Sequence, residues 1–361
     1  MNILVICKLG FAGKSSGFSG DARAVYHLSP IAFSKQVDRL YSIRYKRFER
    51  PVPNVVEYTH MNWHDNYFLF PVAMLHIFAK ALWICRRHQI DYIIGFTIPY
   101  GVLAWITARI TKRNVVISFI GADLYTCVRE KWYGKIVVHM LRHCDHVTVT
   151  GAEMREILIA RGAPADRIHI LPHGIDTSAF QCDKHNKKYD MVFVGELVYR
   201  KRVDTLLDAL GFVKQTLGHA RFCIVGDGPL REELEHRAKR LRIAGAVDFV
   251  GFQEDVRPYL QQSKVFVLAS QGEGLPFAMI EAMACGLVPV VTDVGTIGDV
   301  VRDGENGFLV GVGESQAIAK CVVTLLADQQ LYGKMSREAA GVREKFSYEK
   351  ATQVWDAIFV L

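Results

Sequence analysis

Residues 264–295 read KVFVLASQGEGLPFAMIEAMACGLVPVVTDVG, and the fold of the chain is decided by how this stretch is read. Val265 to Leu268 is a short apolar run of strand type, and Gly272 and Gly274 mark the turn after it. Pro276 suits the first turn of a helix, where its missing N–H costs nothing. Gly286 ends that helix, and Leu287 to Val291 reads as the next buried strand. Two carboxylates sit at fixed spacing, Glu273 in the loop and Glu281 one turn into the helix on the face of Phe277. The helix start at Gly274, Leu275, Pro276 and Phe277 is a place for a phosphate anion. Glu281, acceptor-only when ionised, suits a ribose diol, and Glu273 lies where the hydroxyls of a sugar would sit.

A phosphate between a ribose-binding acid and a sugar-side acid describes a nucleotide-sugar site. The run E-G-L-P-F-A-M-I-E, followed by M-A-C-G-L-V-P-V-V and D-V-G, closely resembles the E-x7-E signature of retaining glycosyltransferase family 4. The resemblance is strong over about residues 188–311, where VFVGEL and IVGDGPL recur in order. It is moderate over 91–180 and thin before that. It implies a GT-B fold, with two Rossmann-like doubly wound α/β domains facing across a cleft.

Working outward, the 361 residues exceed one ordinary core and suggest two domains. Half are hydrophobic and 22% charged, which excludes a disordered chain. The eight cysteines lack C-x-x-C or zinc spacing, so free thiols in a reducing compartment are expected. MNILVICKLG enters an apolar strand with no basic stretch before it, so no signal peptide is expected and the cytoplasm is the expected location. The net charge of +7 is uneven: residues 1–180 hold 22 Lys and Arg against 13 Asp and Glu, the remainder 22 against 24. A basic first half fits an anionic surface or acceptor, and equally an ordinary solvated face.

Asn2 to Cys7 reads as a buried strand followed by a glycine-rich loop. The resemblance puts this loop under the donor phosphates and the acceptor, with Gly17 and Gly20 as the residues carried over. Residues 35–50 interleave Arg and Lys with Tyr and Phe, without a nucleic-acid recognition motif. Residues 67–87, YFLFPVAMLHIFAKALWICRR, fall short of a spanning helix. They read as a buried helix or as one resting on anionic lipid. At 120–123 the chain reads Ile-Gly-Ala-Asp where the family usually has His-Gly-x-Asp, the histidine close to the reacting sugar. Isoleucine can neither donate a hydrogen bond nor transfer a proton, so that role is absent or supplied elsewhere. Asp123, on the acceptor side, equally suits a helix cap.

The strand–helix alternation restarts at Met191, after the polar linker 181–190. Residues 1–180 are the expected acceptor-binding domain and 188–345 the donor-binding domain. Residues 346–361 are expected to form a helix packing back towards the first. Gly251 and Phe252 are carried over as the residues near the nucleotide base. After Gly195 the family shows an arginine, then a lysine and a glycine, that hold the pyrophosphate. Here Lys201 matches, Glu196 stands for the arginine and Arg202 for the glycine. A carboxylate about 4 Å from a phosphate charge is repelled by roughly 4 kcal/mol at an effective dielectric near 20. Glu196 is therefore expected to turn away and pair with Arg200 or Arg202, or the donor to sit differently. Glu273, Lys201 and Arg200 form the expected catalytic set, the two cations stabilising the leaving diphosphate.

No D-x-D occurs in the chain, so no metal and no cofactor is expected. The resemblance implies retention of configuration, with attack from the leaving-group face. The expected activity is that of a hexosyltransferase moving a sugar from a nucleotide-diphosphate donor to a glycan, lipid-linked glycans included, in polysaccharide, O-antigen or exopolysaccharide assembly. Peripheral contact with an anionic membrane belongs to that reading, and nucleic acid does not. The alternatives are a small soluble acceptor, or a degenerate nucleotide-sugar-binding protein motivated by Ile120 and Glu196.

Overall fold

The computed structural model describes residues 1–7, 27–44, 54–59, 70–120, 133–182 and 187–360. Gly17, Gly20 and Asp123 lie outside the described residues, as do residues 45–50 and 67–69 of the two basic, aromatic stretches. The described chain forms two units. Each is built on a sheet whose strands are all parallel.

The first sheet comprises β1 (Asn2–Ile6), β2 (Arg39–Arg44), β3 (Val55–Thr59), β4 (Tyr92–Phe96), β5 (Asn114–Ser118), β6 (His146–Val149) and β7 (Ile168–Ile170), in the order β3-β2-β1-β4-β5-β6-β7. Because side chains alternate along a strand, Leu4 and Ile6 of β1 enter the core on one side of the sheet and Ile3 and Val5 the core on the other. Helices Phe70–Arg87, Tyr100–Thr111, Tyr133–His143 and Ala152–Ala160 cover the Leu4 side. The helical residues 27–32 and the helix Tyr348–Val360 cover the other. Trp355, fully buried, stacks on Phe359 at 5.5 Å, and both lie in that second core. Thr352 donates to the Pro30 carbonyl at 3.0 Å, and Ser34 donates to Asp356. The C-terminal helix is thus part of the first unit.

The second sheet comprises β8 (Tyr189–Val194), β9 (Phe222–Val225), β10 (Val247–Gly251), β11 (Ser263–Leu268), β12 (Val288–Thr292) and β13 (Phe308–Val310), in the order β10-β9-β8-β11-β12-β13. Its four inner strands, β9, β8, β11 and β12, are largely apolar and buried on both faces, as a parallel sheet covered by helices on both sides requires. Ile175 and Phe180, which the sequence placed in the first domain, are buried in this second core instead. The Ile175 amide donates to Phe346 at 2.8 Å.

Both sheets are doubly wound, each reversing direction once. The reversal falls between β1 and β4 in the first unit and between β8 and β11 in the second. Ligands of such sheets settle beyond the strands' carboxyl ends, at the switch point where neighbouring connections part to opposite faces.

Candidate active site

The switch point of the second unit is where the predicted residues gather. After β11 the chain turns through residues 269–276 into the helix Phe277–Ala284, with Pro276 just outside it as the N-cap. The Pro276 carbonyl accepts the Met279 and Ile280 amides at 3.1 and 3.3 Å, so the Phe277 and Ala278 amides precede the first full helical turn. Gly286 ends the helix at φ 76°, a left-handed angle that suits glycine. Glu281 is buried inside this helix, one turn beyond Phe277.

After β8 the chain makes a single 3-10 turn, Tyr199–Lys201, on the adjacent strand end. Lys201 places its Nζ 2.5 Å from Glu273 Oε1, and both side chains are about one-tenth exposed. Arg200 Nη1 lies 3.0 Å from the same oxygen and donates to the Gly272 carbonyl at 2.5 Å. Ser270 donates to Oε1 at 2.7 Å. Burial alone would push the Glu273 carboxyl up. The charges of Lys201 and Arg200, with hydrogen bonds from Lys201 and Ser270, outweigh it and hold the group below the ordinary glutamate range. A buried carboxylate thus gathers two cations beside a helix N-terminus.

Backbone contacts fix these loops to one another. Gln271 N–H donates to Arg200 O at 2.9 Å, and Thr292 donates to Ser270 O at 2.7 Å. Gly295, at φ 59°, passes so close to the Glu273 carbonyl that a Cβ there would lie 2.0 Å from it. Only glycine satisfies both the left-handed angle and this approach.

Gly251 ends β10 and Phe252 follows it, on the same carboxyl edge of the sheet as Lys201 and Glu273. Three strand spacings separate β10 from β11, about 14 Å. The Gly251 carbonyl accepts the Gly226 amide at 2.8 Å, tying that edge strand to β9.

Glu196 departs from expectation. It forms no ion pair with a described residue, because both candidate partners are engaged elsewhere. Arg200 is drawn to the buried Glu273, and Arg202 makes a forked pair with Asp204 at 3.0 Å. Arg202 also sits at φ 48°, in the left-handed region that the family's glycine would occupy without strain.

Sequence reasoning missed Ser270, Gly295 and a pocket in the first unit. That pocket lies beyond β5, β6 and β7 and is lined by His27, Ile120, Thr150, His173 and Trp355, among others. The two imidazoles are buried, edge to face at 5.9 Å. Ile120 thus shares its pocket with histidines that no short-range motif connects to it. His173 stands in the LPHGID stretch that follows β7.

Two family models match consecutive segments of the chain. The glycosyl transferase 4-like domain matches residues 35–174, and glycosyl transferases group 1 matches residues 175–342. The chain is 24% identical over 329 residues to N-acetyl-alpha-D-glucosaminyl L-malate synthase of Bacillus anthracis, covering 87% of this chain and 86% of that one. It is 28% identical over 269 residues to a Campylobacter jejuni N-acetyl-D-galactosaminyltransferase whose name gives an undecaprenol-diphosphate-linked acceptor, covering 68% of this chain and 74% of that one. HepE of Anabaena, solved in complex with UDP, superposes with a TM-score of 0.81 at 20% identity over the full length of both chains. Sucrose-phosphate synthase of Thermosynechococcus elongatus superposes at 0.80 with 18% identity, over 99% of each chain. Consecutive family models from residue 35 to residue 342, over two doubly wound units, mean that the chain belongs to the family 4 type of glycosyltransferases with the GT-B fold, enzymes of the hexosyltransferase class.

Proposed function

We propose that the chain moves a hexosyl group from a nucleoside-diphosphate sugar to a glycan acceptor on a lipid carrier, with retention and without a metal, in cell-surface polysaccharide assembly. The observation that carries this reading is the Lys201–Glu273–Arg200 cluster beside the start of the Phe277–Ala284 helix. A diphosphate at that helix start meets backbone amides and two cations sharing a single anion, so the local field remains net positive. Lys201, paired with Glu273 at 2.5 Å, stabilises charge building on the leaving diphosphate. Gly251 and Phe252, about 14 Å along the same edge, receive the base, a separation that an extended nucleoside diphosphate spans. Glu281 accepts from the ribose diol. The departing phosphate takes the acceptor's proton as the acceptor attacks from the same face.

The HepE complexes with UDP and UDP-glucose favour a UDP-sugar as the first donor to try, and the Campylobacter relative favours a polyprenol-diphosphate glycan as acceptor. Placement on the inner face of the membrane follows from that acceptor. A thermal-shift screen of UDP-, GDP- and ADP-sugars tests the donor, because a ligand of the native state raises the melting point by mass action. Proton NMR of the product then reads the anomer, and the same reaction in EDTA tests metal independence. Failure of all three donor classes to shift the melting point, or an inverted product, would refute the respective part of the reading.

A further inference from the structure

The first unit carries a helical face with an unusual charge pattern. No Asp or Glu occurs among residues 70–87, 100–113 or 133–143, which supply three neighbouring helices on one side of the sheet. Arg86, Arg87, Lys112, Arg113, Lys135 and Arg142 are all exposed, and none forms an ion pair with a described residue. Cations near helix C-termini are ordinary partners of the helix dipole, but the dipole equally favours acids in first turns. All three first turns have none. The helix Arg231–Arg240 of the second unit follows the ordinary pattern, with Glu232 and Glu233 at its start and Arg237, Lys239 and Arg240 at its end.

The same face exposes large apolar side chains. Helix Phe70–Arg87 buries Ala73, Ile77, Ala81 and Ile84 towards the sheet. At helical spacing on its opposite side it shows Val72, Leu75 and Trp83, which are 46%, 67% and 47% exposed. Ile110 and Ile136 on the next two helices are 57% and 47% exposed. The Arg87 guanidinium lies over the Trp83 ring at 5.5 Å. Among the described residues no helix is long and apolar enough to cross a membrane. A surface that exposes Val, Leu, Ile and Trp side chains among cations with no described ion-pair partner is complementary to an anionic bilayer interface. A nucleic acid would leave the apolar side chains without a partner.

We infer that this three-helix face docks the enzyme on the surface of an anionic lipid bilayer. The inference extends the proposed lipid-linked acceptor by naming the surface that meets the membrane, and it rests on that reading only for the benefit of docking. The whole chain is sedimented with vesicles of phosphatidylcholine alone and of phosphatidylcholine with phosphatidylglycerol. Binding is expected only to the anionic vesicles, weakening as salt rises above about 0.15 M. Arg86→Gln with Arg87→Gln should weaken it by roughly fivefold per charge removed. Leu75→Ser with Trp83→Ser should weaken it as well, while Lys239→Gln with Arg240→Gln, equal in charge but in the second unit, should not. No binding to anionic vesicles, equal binding by all variants, or a dimer in place of vesicle binding that the first two pairs dissolve would overturn the inference. The nucleotide-sugar thermal shift, measured without lipid on the same variants, should be unchanged. Its absence in the parent protein counts against the donor site and not against docking.

Discussion

Replacing Lys201 by alanine removes the cation whose Nζ lies 2.5 Å from Glu273 Oε1. Two effects follow and can be separated. A diphosphate oxygen about 4 Å from that ammonium loses roughly 4 kcal/mol of attraction at an effective dielectric near 20. Arg200 and the helix amides recover part of it, so kcat should fall by about two to three decades. Stability should fall too, but by less than the roughly 3–5 kcal/mol typical of a buried pair that loses one partner. Arg200 at 3.0 Å and Ser270 at 2.7 Å still hold the carboxylate. The pH sign is fixed by the same geometry. Glu273 titrates below its ordinary 4.5 in the folded protein, so its contribution is complete above that value and is lost as pH falls through the depressed one. In Lys201→Ala the loss should begin at higher pH. The assay is release of the nucleoside diphosphate at saturating donor, with melting curves from about pH 3 to about pH 8, a span that brackets the carboxylate range. Adding Glu273→Gln should restore melting but not rate. A rate unchanged in Lys201→Ala, or an equal drop in Arg202→Ala, whose side chain is held by Asp204, would refute the assignment.

Glu281→Gln should raise KM for the nucleotide sugar by roughly tenfold to a hundredfold with little change in kcat, the loss expected for a hydrogen bond to a charged group; steady-state kinetics reads the split. Gly295→Ala should destabilise the second unit by about 3 kcal/mol or more, since its Cβ would collide with the Glu273 carbonyl at a left-handed angle, and denaturant unfolding measures it. Arg202→Gly should cost almost no stability or slightly raise it, because about 1 kcal/mol of backbone strain offsets the loss of a half-exposed ion pair. A clear loss of melting temperature in that variant would show that the Asp204 pair dominates.

The fold was legible because buried parallel strands are continuous apolar runs. Met191–Val194, Val265–Leu268 and Leu287–Val291 announced themselves, each followed by a glycine turn. The loop carrying Glu273 was legible because its residues are contiguous, with their function written at fixed spacing. What escaped was contact between distant segments. Nothing local in the sequence says that Arg200 reaches Glu273 while Arg202 reaches Asp204; the choice follows from the 3-10 turn and the left-handed angle at Arg202. Nor does any short spacing join His27, Ile120 and His173, which come from three separate connections of the first unit. The acid-free helices were partly legible. One of them, Phe70–Arg87, lies in a stretch that reads as apolar and basic, but its kinship with two others emerges only when the fold lays them side by side.

The C-terminal helix completes the first unit after the chain has already built the second. During synthesis, therefore, the amino-terminal sheet emerges with one flank only partly covered, by residues 27–32, and stays so until residue 360 has been made. A fragment ending at residue 174 would leave the places of Trp355, Ile358 and Phe359 empty, and the apolar Ile3, Val5 and Ile94 beneath them open to water. Any attempt to study the amino-terminal half alone should graft residues 348–360 back onto it, or expect precipitate.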